Sequence, residues 1–412
     1  MKSIQEALDL MMPVFVPVGT ERLAIGDAFG RHLASDIAAR FDLPPFTSSS
    51  MDGYAVRASE IEGASKETSK TLTLIGESRT GGPLPSPLVK ATAMRIFTGA
   101  VMPDGADAIV IQEDTNAVEG RVEIRAASKP GAWVRRRGSD LAHHQTMLAR
   151  GNRIGAGEIG ILAAQGISSI TVYRKPRVAI LSTGDELRDI DEPSVLGSIV
   201  NSNAYALAAM VRECGCEPIV LPNVPDDMNA TLDALRAGLK CDVLLTVGGV
   251  SVGDYDFVKD AFDKVGIEAG FWKVRMKPGK PLVFGRFGAI PVLGLPGNPM
   301  SAMVTFEALV RSGLHAMLGD PKPYRLRHSI SLAVDHHHVA GRLELARARL
   351  STIDTRWVAT PLRLQDSGSL TSWVDVDALL LLAEERASYS AGEMVDALLL
   401  RDDTGSATSP FS

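Results

Sequence analysis

The stretch from residue 177 onward constrains the fold most. RVAILS at 177–182 is an apolar, β-branched run bounded by Pro176 and Gly184, the pattern of a strand buried on both faces of a parallel sheet. After it the spacing predicts helix over 203–214, strand over 218–222, helix over 228–238 and strand over 242–247. Helix follows over 256–265, strands over 271–276, 282–284 and 291–295, and helix over 299–318. Strands that alternate with crossover helices specify a doubly wound α/β domain, assigned here to residues 175–320.

The flanks read differently. Ile4, Ala7, Leu8 and Met11 share one face of a helix that Ser3 caps, with Glu6 three residues on. Short strands at 54–57, 71–76, 94–97, 108–112 and 121–125, separated by Gly, Pro and Ser, predict a small all-β module. Helix returns over 152–166, and five strand-like runs beyond 319 make an all-β tail. The expected class is therefore α/β and β multidomain. Its domains are 1–45 with 141–174, an insertion at 46–140, the α/β domain at 175–320, and 321–412.

Composition narrows the function. With 45% hydrophobic and 22% charged residues, wholesale disorder is excluded. A net charge of −6 gives no support to a nucleic-acid or anionic-membrane surface. Cys214, Cys216 and Cys241 are odd in number and sit in apolar segments, so they read as reduced core thiols rather than a disulfide framework. No apolar run approaches the ~20 residues of a membrane span, and Gln5, Glu6 and Asp9 make the N-terminal segment an amphipathic helix, not a signal peptide. A cytoplasmic protein is expected.

In an open α/β sheet, ligands bind beyond the carboxyl ends of the strands. The loops there are STGDEL at 182–187, GGVSVG at 248–253 followed by Asp254 and Asp256, and LPGNP at 295–299. Gly248, Gly249 and Gly253 lack Cβ atoms, which lets backbone N–H groups approach a phosphate or heterocycle, and Ser251 adds a hydroxyl. Neither GxxxxGK[ST] nor GxGxxG is present, so neither a P-loop nor a dinucleotide fingerprint is supported. Lys273, Arg275, Lys277 and Lys280 form a cation row, and strand alternation predicts the first three on one face. Asp185, Glu186, Asp226, Asp227, Asp254 and Asp256 form an opposing acidic set. Paired carboxylates beside a phosphate suit Mg²⁺, although an acidic residue before a helix is often only a cap. His336, His337 and His338 alternate across a strand, which argues for surface or loop histidines rather than a chelate.

Taken together, these motifs resemble one family. PPF at 44–46 with SSMDGYAVR at 49–57 is similar to the signature of the molybdopterin molybdenumtransferases, the MoeA/gephyrin E-domain family. Further matches follow in the family's order: TGA at 98–100, Gly105 to Ala108, Arg135, Gly138 and Asp140, the three strand-end loops, KPGKP at 277–281 and SGSL at 367–370. Ser50, Ser139 and Asn201 depart from the family pattern.

The resemblance implies four domains: a MogA-like α/β domain that binds molybdopterin, a discontinuous helical domain, an inserted β domain and a C-terminal β barrel. It implies a homodimer whose active cleft is shared between subunits. The implied reaction inserts molybdenum from molybdate into adenylylated molybdopterin, releases AMP and is assisted by Mg²⁺. Carried over by residue, Asp52 and Thr98 would reach in from the partner subunit, while Asp140, Glu186, Asp226 and Asp256 would line the cleft, with Asp226 and Asp256 on the metal. Lys273, Lys277 and Lys280 would hold phosphate or molybdate. Gly248, Gly249, Ser251, Gly253, Pro296, Gly297, Asn298 and Pro299 would shape the cofactor site. A molybdopterin adenylyltransferase is a possible partner. The alternatives are a tungstate-using paralogue, a MogA-like adenylyl transferase, or a scaffold that binds receptor peptides.

Overall fold

A computed structural model of the chain describes residues 1–249, 257–353 and 356–401. The chain forms two compact units, one of Met1–Ala34, Gly151–Gly155 and the chain from Ser169 onward, the other of Ser35–Arg150 and Ala156–Ser168.

In the larger unit a six-stranded sheet runs in the order Glu217–Val220, Arg177–Ser182, Val243–Val247, Ile290–Leu295, Pro281–Phe287, Glu268–Lys273. The first four strands are parallel, and Pro281–Phe287 alone runs antiparallel to its two neighbours. The apolar runs bury both faces. Val178, Ile180, Val243, Leu245, Leu293 and Leu295 pack in one cluster with Leu207 and Val211 of the helix Ser202–Glu213 and Val304 and Leu309 of the last helix. Their neighbours Ala179, Leu181, Leu244 and Val292 pack in a second cluster with Leu235 of Met228–Gly238 and Phe262 of Phe257–Val265. Period-two alternation thus feeds two helical layers, which is why these runs look apolar at every position.

The last helix of the α/β domain is continuous from Pro299 to Met317, with a wider π-turn at Phe306–Val310. Five strands, Arg327–Leu332, Leu343–Ile353, Arg356–Pro361, Ala378–Leu382 and Met394–Leu399, close into a barrel. Its interior holds Ala346, Ala348, Ala359 and Ala397 beside Ile330, Leu380 and Val395, since small residues are what a five-stranded bore admits. The N-terminal helix Ile4–Met11 carries the expected capping box of Ser3 and Glu6.

The smaller unit holds a six-stranded sheet in the order Ala108–Ile111, Gly53–Val56, Thr92–Ile96, Lys70–Ser78, Arg121–Ile124, Thr115–Val118. Tyr54 and Val56 enter one core, Ala55 the other. The sequence gives no signal for Thr115–Val118, because an edge strand with no buried position lacks an apolar stripe.

All three cysteines are buried and unpaired, and burial pushes the Cys214 thiol up to about 12. The histidine reading needs correction at one position. His337 is exposed, but His338, just past the short strand His336–His337, is buried in the larger unit.

Candidate active site

The site begins with register. Ser182 pairs with Val247, and Val247 with Leu295, so three parallel strands end level and their loops emerge side by side. Together they enclose a cavity of about 480 Å³. Gly248 has φ +89°, and a Cβ there would lie 2.8 Å from the Thr183 carbonyl oxygen. A Cβ on Gly297 would sit 3.6 Å from the Gly248 Cα. The loops therefore touch backbone to backbone, and a side chain at 248 would force them apart.

Glu186, Asp226, Gly248, Gly249, Pro296, Gly297, Asn298 and Pro299 all line this cavity. Glu186 and Asp226 are solvent-exposed. The Glu186 carboxylate folds over Gly184, and the Asp226 N–H donates to Asp185 Oδ1 at 3.0 Å. Asp227, next to Asp226, caps the helix Met228–Gly238 by accepting from the Ala230 N–H at 2.8 Å; it is the cap that the sequence left open.

Sequence reasoning missed a second polar wall. The N-terminus of the helix Ser202–Glu213 opens into the cavity through Asn201, Ser202 and Asn203. Asn201 accepts from the Ala204 N–H at 3.1 Å and donates to Asn223 Oδ1 at 2.6 Å. Asn203 Nδ2 donates to the Gly297 carbonyl at 2.7 Å, tying this helix to the third loop. The Asn-Ser-Asn run before an apolar helix was the available signal, since such residues serve as N-caps.

The cation row behaves differently from its expectation. The strand ends at Lys273, so alternation does not carry Lys273, Arg275 and Lys277 onto one face. Met276–Lys277 instead joins the barrel strand that starts at Leu343. Arg275 pairs with Glu384 at 2.8 Å and Lys277 with Glu344 at 3.0 Å. Lys273 and Lys280 are exposed. None of the three lysines lines the cavity, although Pro281, which follows Lys280, does. The barrel also reaches the third loop: Asn298 Nδ2 donates to Ser367 Oγ at 3.1 Å and the Met300 N–H to the Ser367 carbonyl at 3.0 Å.

Asp52, Thr98 and Asp140 belong to the smaller unit. Asp52 Oδ1 accepts from the Thr98 N–H at 2.7 Å and from its hydroxyl at 2.8 Å. The backbone bond first, and the hydroxyl second, hold the Asp52 carboxyl below the usual carboxylate range. Asp140 is exposed, and its N–H donates to the Leu43 carbonyl at 2.9 Å. Ser251, Gly253 and Asp256, with Asp254, lie outside the described residues.

Among the described residues no group of three His, Cys, Asp or Glu side chains is placed to hold a metal. Two solvent-facing carboxylates on a cavity suit a Mg²⁺ shared with substrate phosphate rather than a closed protein cage.

Three family models match successive parts of the chain. The MoeA N-terminal region (domains I and II) matches residues 2–166, a probable molybdopterin-binding domain 179–316, and the MoeA C-terminal region (domain IV) 329–400. The molybdopterin molybdenumtransferase of Haemophilus influenzae is 34% identical over 92% of this chain and 93% of its own length. The chain belongs to the molybdopterin molybdenumtransferase family. The Bacillus subtilis molybdopterin molybdenumtransferase is 33% identical over 94% of the chain and 91% of its own length. The crystal structure of the molybdopterin biosynthesis MoeA protein from Pyrococcus horikosii superposes with a TM-score of 0.84 at 30% identity, covering 97% of this chain and 99% of that one. As a molybdopterin molybdenumtransferase family member the chain is a transferase of molybdenum cofactor biosynthesis, and its cavity falls within the molybdopterin-binding match. No helix among the described residues is long and apolar enough to cross a membrane.

Proposed function

We propose that this chain inserts molybdenum from molybdate into adenylylated molybdopterin and releases AMP. The observation that carries this reading is the cavity itself, in which three level strand ends place glycine backbones against two carboxylates and a helix N-terminus. Gly248, Gly249 and Gly297 leave room for a flat heterocycle or a phosphate against the backbone. The helix Ser202–Glu213 directs its N-terminal N–H groups and partial positive charge at a phosphate.

Asp226, with Glu186 beside it on the cavity, would hold Mg²⁺ together with the substrate phosphates, and Asp256 would complete the set. The cation supplies neutralisation of the charge that develops on the phosphate when AMP leaves. Glu186 and Asp226 also orient the attacking oxygen. Lys273, Lys277 and Lys280, which do not line the cavity, would supply positive charge for molybdate or phosphate. Asp52, Thr98 and Asp140, which belong to the other compact unit, serve the cleft of a partner subunit in a homodimer. The working compartment is the cytoplasm, with the adenylylated substrate handed over by a molybdopterin adenylyltransferase.

Purified protein incubated with adenylylated molybdopterin, Mg²⁺ and molybdate should release AMP and form molybdenum cofactor, and should do neither without molybdate. No AMP and no cofactor in the complete mixture would refute the proposal. Running tungstate in parallel identifies the preferred oxyanion.

A further inference from the structure

Asp52 is held from two sides. Both bonds from Thr98 fall on Oδ1, which leaves Oδ2 for a ligand. The Asp52 carbonyl accepts from the Gln112 N–H at 3.1 Å, which pins the main chain just before the strand Gly53–Val56. The Gln112 side chain brings in a residue that the sequence motifs did not single out. Its Oε1 accepts from Arg95 Nη2 at 2.6 Å.

Arg95 has a fixed seat. It lies opposite Tyr54 where Thr92–Ile96 pairs antiparallel with Gly53–Val56. Its guanidinium carbon sits 5.0 Å from the Tyr54 ring centroid and 5.2 Å from that of Phe97. A flat cation against two rings, forked to a side-chain amide, has little freedom left. Glu77, opposite Arg95 on the strand at its other side, is paired with Arg79 instead. Arg57 donates to the Leu88 carbonyl at 2.7 Å. Glu113 and Asp114 follow Gln112 on its turn, and Arg135 lies on the short strand beside Ser48–Ser49. Of these charges, the one that bears on the Asp52 carboxylate is that of Arg95.

We propose that Arg95 is a positioning residue for Asp52: through Gln112 it fixes the main chain there, and its clamped cation compensates the carboxylate when an anionic substrate enters the cleft. A carboxylate that meets a phosphate tends to take up a proton or to turn away. A cation fixed nearby opposes both. Lysine does not replace it, since an ammonium lacks the flat face that meets the rings and the fork that meets Gln112. The proposal rests on the reading that Asp52 serves the cleft.

The Asp52 carboxyl can be followed by carbon NMR of the full-length protein labelled in its aspartate side chains, with Asp52→Asn assigning the signal. In the wild type it should titrate below the usual carboxylate range. Arg95→Met should raise its midpoint by about half a pH unit or more, and lower kcat for AMP release at least about tenfold with a smaller change in KM. Arg95→Lys should fall between the two. A midpoint unmoved in Arg95→Met overturns the proposal, and so does a moved midpoint with kcat unchanged. If Arg95→Met does not fold, Gln112→Met removes the anchor alone and must move both readings in the same direction. The two readings separate the failures. A wild type that releases no AMP refutes the proposed function, whereas an unmoved carboxyl in an active enzyme refutes the positioning role alone.

Discussion

Gly248 is the residue on which the cavity most depends. Its φ of +89° and the 2.8 Å approach of a Cβ to the Thr183 carbonyl act together. Gly248→Ala should therefore destabilise by about 1–3 kcal/mol and lower turnover more than it lowers the melting temperature of the other unit. Thermal unfolding alongside the AMP-release assay checks both. His315 makes a pH prediction. Burial first, and Arg311 second, push it from 6.5 to about 4, although the Asp320 carboxylate, 3.1 Å from its Nδ1, pulls it up. The unfolded chain binds a proton between those values that the fold refuses, so this contribution is complete above pH 6.5 and lost as pH falls to about 4. Urea midpoints measured across that window should fall with pH, and His315→Leu should reduce the slope.

At the scale of elements, the junction of the last helix with the barrel rests on a buried ion pair. Arg325 holds Glu307 through two bonds of 2.7 and 3.2 Å, and Glu307 is 6% exposed. Arg311, at 4.0 Å, is the weaker partner. Arg325→Leu strands the carboxylate and should cost about 3 kcal/mol, whereas removing both charges with Glu307→Leu should recover much of it. Denaturant unfolding of the single and double variants decides.

Elements also show what was legible in the sequence. Arg177–Ser182 and Met228–Gly238 match their expected bounds because each carries an unbroken pattern and a clear stop. The wider π-turn at Phe306–Val310 left no trace, since every position in it is buried. The segment 273–281 was misread for a different reason. Alternating Lys and Arg mimic a solvated strand face, but Glu344 and Glu384, which claim Lys277 and Arg275, lie more than sixty residues away in sequence. Local periodicity carries no information on such partners. The glycine loops were legible because positive φ demands glycine locally, and the Asn201–Asn203 wall was not, because its ties to Asn223 and Gly297 are tertiary.

For the whole molecule, the proposed homodimer places Asp52 of one subunit and Glu186 of the other in one cleft. Asp52→Asn and Glu186→Gln should each be nearly inactive alone. Mixed and re-annealed, they should regain activity, because one cleft of each heterodimer is intact; up to about a quarter of wild type is expected if subunits exchange at random. Failure to regain any activity, with exchange demonstrated, would place both residues on one subunit's site or neither. The central claim is that the strand-end cavity performs molybdenum transfer. AMP released per unit time from adenylylated molybdopterin with molybdate, compared between wild type and Asp226→Asn with matched unfolding curves, tests it most directly. The account predicts a loss of at least about tenfold, the effect of removing a group that acts on the transition state; full activity in Asp226→Asn would contradict it.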